Sequence, residues 1–183
     1  MWWKKKQQVV AAEFPLSNLD PGGVNYLIQN ADTEMSTNRQ VITLLSGNRL
    51  GVMTWQGEFA GEKMFKIEQC SDYPEDWILT AYNSETQLQW VVNNSTLEAR
   101  TYPNNSGDER RRPPFKQWRF CFEEVGRAGS KKFLIISKDE DLQGNNCLCL
   151  IIPQDAVDTA QRQLGFAAKN ENDLSQIWCL HQR

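Results

Sequence analysis

The sequence predicts an all-β domain, and three observations carry that prediction. Short runs of Val, Ile, Leu and aromatic residues recur between clusters of Gly, Asn, Asp, Ser and Pro, the spacing of strands in a sandwich or barrel. Only 153–161, which opens Pro153-Gln154-Asp155, reads as helical, and then for one or two turns. Similar aromatic-bearing segments also return at intervals of roughly fifty to sixty residues, the mark of an internal repeat.

Taken in order, the strands are expected at 24–29, 40–45, 50–55 and 63–68, then at 77–82, 87–92, 97–102 and 117–123. The last group falls at 132–137, 147–152, 163–168 and 177–181. Residues 1–20 have no clear period and read as a tail or an edge extension of a domain covering 21–183. Three segments open alike: Asn25-Tyr26-Leu27-Ile28, Asp76-Trp77-Ile78-Leu79 and Lys132-Phe133-Leu134-Ile135. Three also close alike, around Phe65, Trp118 and Trp178. The units therefore run over about 24–70, 76–124 and 131–182, each with four strands bracketed by aromatics. Three such units can close a six-stranded barrel capped by three hairpins, which removes the exposed edges of twelve short strands. The paired aromatics would fill its interior.

Composition sets limits on function. The chain has 183 residues, with 20 Lys+Arg against 23 Asp+Glu and a formal net charge of -3. That balance argues against a dominant nucleic-acid-binding field. No apolar run approaches the roughly 20 residues that a membrane span requires, so no membrane insertion is expected. Seven Trp, eight Phe and four Tyr supply the apolar area of a folded domain. The 5 cysteines are an odd number, and no signal-peptide apolar stretch follows Met1-Trp2-Trp3-Lys4-Lys5-Lys6. They read as free thiols of a cytoplasmic protein. Cys147-Leu148-Cys149 reads as alternating strand residues rather than a metal site, and no cofactor is implied.

The threefold pattern resembles the β-trefoil, and in particular the ricin B-chain-like (R-type) lectins and their fungal relatives. Gln176-Ile177-Trp178 matches the Gln-x-Trp signature that closes an R-type repeat; the matching places in the other units carry Lys63 with Phe65, and Lys116 with Trp118. The resemblance implies carbohydrate binding at the hairpin edges. A pyranose needs an aromatic ring under its apolar face and carboxylate or amide groups for its hydroxyls. The R-type acidic position falls on Thr43, Gln89 and Cys149, so the carboxylate is absent from all three units. The aromatic platforms fall on Trp55, Tyr102 and Phe166. The sugar-binding residues implied are Trp55 with Asn48 and Gln56, Tyr102 with Gln89 and Asn104, Phe166, and Asn172 at the amide position.

A second function class rests on loop 104–114, where Arg110-Arg111-Arg112 precedes Pro113-Pro114. A stiff basic loop on a rigid barrel can occupy a trypsin-like protease, as in inhibitors that share the trefoil scaffold. Catalysis has no support: the single His, His181, has no nucleophile or carboxylate at a telling spacing. The expected partners are glycans or glycoproteins, alternatively a protease, with a homodimer as one further assembly.

Overall fold

The computed structural model describes residues 24–33, 39–70, 72–81, 88–101, 115–156 and 162–182. The tail at 1–20, Tyr102, Asn104, the Arg110-Arg111-Arg112 run and residues 157–161 of the helical stretch lie outside the described residues. Within 153–156 there is one turn, closed by the Ala156 N–H donating to Pro153 O at 3.1 Å.

Twelve strands form the domain. The first unit contributes β1 (Val24–Asn30), β2 (Gln40–Leu44), β3 (Leu50–Thr54) and β4 (Met64–Cys70). The second contributes β5 (Tyr73–Ala81), β6 (Leu88–Asn93), β7 (Thr96–Thr101) and β8 (Phe120–Glu124). The third contributes β9 (Lys132–Ser137), β10 (Cys147–Ile151), β11 (Gln163–Ala167) and β12 (Ile177–Gln182). Antiparallel pairs run β1 to β4, β4 to β5, β5 to β8, β8 to β9, β9 to β12 and back to β1, which closes a six-stranded barrel. Hairpins β2–β3, β6–β7 and β10–β11 cap it. This is the β-trefoil.

Cross-strand register gives the threefold equivalence directly. Tyr26 faces Phe65, Trp77 faces Phe120 and Phe133 faces Trp178. All six are buried in one core. The closing aromatic of the second unit is therefore Phe120; Trp118 sits two residues earlier, on the short 3-10 turn Lys116–Trp118. The expected Lys116–Trp118 match thus lies two residues out of register, and the place of Gln176 is held by Lys63 and Trp118. Gln176 is buried and pins the preceding loop: its Oε1 accepts from the Asn170 N–H at 2.8 Å, and its Nε2 donates to Ala168 O at 2.9 Å.

Trp90 fills the capped end. It is fully buried and meets Phe65 and Phe120 edge to face, with centroids 5.1 and 5.9 Å apart. Ile42 and Leu148 hold its place in the other units. On the outer face the units diverge. Leu27, Val41 and Met64 cluster in the first unit, and Leu134, Cys147 and Ile177 in the third. At the place of Met64 and Ile177 the second unit has Arg119, paired with buried Asp76 at 2.7 Å.

Candidate functional site

The first hairpin returns to the barrel at Trp55, and this residue is fixed at several points. Its backbone N–H donates to Arg39 O at 2.7 Å, and its indole Nε1 donates to Glu58 O at 2.7 Å. The half-buried ring rests on the cluster of Leu27, Val41 and Met64. Phe59 meets it edge-on at 5.9 Å, and the His181 ring lies 5.6 Å away at an angle of 31°. The Arg39 guanidinium carbon stands over the indole, 5.9 Å from its centroid, and the Arg39 side chain is exposed. Behind His181, its Nε2 is 2.9 Å from Oε1 of the buried Gln29. Gln29 Nε2 has no hydrogen-bond partner among the described residues. The result is an indole held in place, with a guanidinium over it and an imidazole beside it.

Of the residues the sequence assigns to this site, Gln56 follows Trp55 and is exposed. Asn48 is not brought to it. It sits at the hairpin tip in left-handed backbone (φ 60°), a strand length away, roughly 15 Å at the rise of an extended chain. Gln89 is half-buried on β6, between Thr80 and Arg100. Phe166 faces Leu148 and packs, half-buried, against the barrel core. Asn172 is exposed in a turn, its N–H donating to Asn170 Oδ1 at 3.0 Å.

The hairpin register corrects the assignment of the R-type acidic position. Val41, Gln89 and Cys147 are equivalent because they pair with Gln29, Thr80 and Ile136. Thr43 and Cys149 therefore correspond to Val91, not Gln89. All three side chains are buried. Across from Thr43 lies Gly51, and across from Cys149 lies Gly165. A β-carbon there would come 2.6 Å from Leu45 Cδ1 or 2.9 Å from Ile151 Cδ1. Aliphatic side chains thus cover this face in the first and third units.

The second unit differs. Glu98 faces Val91, and Asn93 takes the place of Leu45 and Ile151. Asn93 Nδ2 donates to Glu98 Oε1 at 3.4 Å. Beside them opens a polar cleft of about 330 Å³, whose polar lining includes Asn93, Ser95, Gln117, Asp139 and Asp141. Sequence reasoning missed it because its walls come from three separate turns. The Asn94-Ser95 pair, both residues in left-handed backbone, was its one local signal.

Among the described residues no three His, Cys, Asp or Glu side chains converge as metal ligands. All five cysteines are free. Burial pushes the Cys147 thiol up to about 12 and Cys149 up to about 11.

No protein-family model and no curated protein sequence matches the chain. Solved structures do. Cry35Ab1 superposes with a TM-score of 0.58 at 19% identity, over 90% of this chain and 36% of that one. The chain thus spans little more than a third of Cry35Ab1. The BEL β-trefoil superposes at 0.55 with 16% identity, over 92% of this chain and 99% of its own. The Polyporus squamosus lectin, bound to a human-type influenza-binding epitope, superposes at 0.57 with 11% identity, over 87% and 49% of the two chains. These likenesses establish the β-trefoil fold.

Proposed function

We propose that the protein is a non-enzymatic, lectin-like carbohydrate-binding β-trefoil whose principal site is the platform at Trp55. The observation that carries this reading is the pre-organised indole: two 2.7 Å hydrogen bonds fix its neighbourhood while the residue stays partly exposed. A sugar that stacks there meets a ring already in place, so little conformational freedom is lost on binding. Gln56, next in sequence, is exposed and offers an amide for hydroxyls. The Polyporus squamosus lectin, part of which shares this fold, is bound to a glycan epitope, which supports the class of ligand and no particular sugar. The five free thiols favour a reducing, cytoplasmic setting.

A glycan array probed with wild type, Trp55→Ala and Trp55→Phe tests the proposal. Specific binding by wild type, lost in Trp55→Ala and largely kept in Trp55→Phe, is the expected result. Equal binding by wild type and Trp55→Ala, with circular dichroism showing both folded, sinks the assignment.

A further inference from the structure

We infer that the Trp55 platform selects sugars bearing a carboxylate, a sialic or uronic acid, with Arg39 as the group that recognises the charge. The inference rests on the carbohydrate reading above and adds its specificity. Arg39 is exposed, its guanidinium carbon 5.9 Å above the indole centroid, and it makes no ion pair among the described residues. Several other surface cations do have carboxylate partners: Lys66 with Glu68, Arg100 with Glu98, Lys116 with Glu140 and Lys169 with Glu123. At the platform the Arg39 guanidinium stands over the ring instead.

Geometry then separates neutral from acidic sugars. A neutral pyranose that stacks on this face must displace the guanidinium from the ring and gains no charge partner for it. A carboxylate at the sugar's edge gives the displaced guanidinium a two-point partner, since five N–H donors in a planar fork match carboxylate oxygens. The ring and the cation thus bind two parts of one ligand. One further feature suits an oxygen-rich acid: the imidazole of His181 beside the indole, held against Oε1 of the buried Gln29. Such a sugar has acceptors on the carboxylate and on its hydroxyls.

The test compares wild type, Arg39→Gln and Trp55→Ala. Each is screened against sialic-acid-terminated, uronic-acid-terminated and neutral glycans. The best acidic binder is then titrated beside its carboxylate methyl ester, which keeps the shape and removes the charge. The expected result is binding to the acid at least ten-fold tighter than to the ester. In Arg39→Gln that preference should vanish while ester binding persists, and in Trp55→Ala both should be lost. Equal affinity for acid and ester, an unchanged preference in Arg39→Gln, or binding of neutral glycans alone overturns the inference and leaves the Trp55 reading standing. Undiminished binding of every glycan by Trp55→Ala overturns the Trp55 reading instead, so the two failures are distinguishable. Arg39 is exposed, so Arg39→Gln does not depend on refolding a core.

Discussion

Arg119 donates through Nη1 to Asp76 Oδ2 at 2.7 Å, with both side chains buried in the outer wall of the second unit. The guanidinium also stacks on Tyr73, 3.7 Å from the ring centroid, and Lys138 Nζ approaches the other carboxylate oxygen at 3.3 Å. At the place of Arg119 the other units carry Met64 and Ile177 inside apolar clusters. One barrel thus solves the same wall position by apolar packing twice and by a buried ion pair once.

Asp76→Ala leaves a buried guanidinium without its anion, and the expected loss is about 3–5 kcal/mol. The double variant Asp76→Asn/Arg119→Met imitates the first unit, where Asn25 and Met64 stand, and should recover most of that loss. Urea unfolding of the three proteins measures both. A double variant no more stable than Asp76→Ala would contradict the interchangeability of the two solutions.

Gln176 holds the 168–170 segment through two buried-side hydrogen bonds. Gln176→Ala leaves the Asn170 N–H and the Ala168 carbonyl without this partner, at a cost of roughly 1–3 kcal/mol. Amide hydrogen exchange should accelerate at Asn170 while the β4–β5 pairing keeps its protection. Uniform acceleration through the barrel would mean that the side chain supports the whole fold rather than this loop.

Trp90→Leu places in the second unit the residue that Leu148 contributes to the third. The smaller side chain cannot reach both Phe65 and Phe120, so about 2–5 kcal/mol of stability should be lost to the cavity. Thermal unfolding reads the loss. A cost under 1 kcal/mol would show that the cap collapses around the gap.

The thiols give a pH dependence with a defined sign. Burial raises Cys147 from an ordinary 9.0 to about 12, and Cys121 and Cys149 to about 11. Below pH 9 these groups are protonated in both the folded and unfolded chain and contribute no slope. Between about 9 and 11–12 the unfolded chain releases protons that the folded chain retains, so stability falls as pH rises. The urea midpoint should therefore drop more steeply over that window in wild type than in Cys121→Ala/Cys147→Ala/Cys149→Ala. At pH 8, iodoacetamide should label these thiols far faster in urea than in buffer; equal rates would contradict their burial.

The sequence by itself determined the three-unit β architecture and the aromatics that open each unit. Tyr26, Trp77 and Phe133 are legible because a closed barrel needs bulk at the same height in every unit, and strand alternation keeps that bulk on the inner face. Trp55 was legible too, as an aromatic at a hairpin end. Only the tertiary structure decided the register of the second unit, where Phe120 rather than Trp118 faces Trp77 and Val91 rather than Gln89 matches Thr43. Register is a property of strand pairs, and short aromatic-rich strands fit a two-residue slip equally well on paper, because it keeps every side chain on its face. The candidate site was likewise decided by closure of the barrel. Pairing β12 with β1 brings His181 to Gln29, 152 residues away along the chain, and so beside Trp55. No local pattern in the sequence encodes that meeting, because it exists only once the last strand closes on the first.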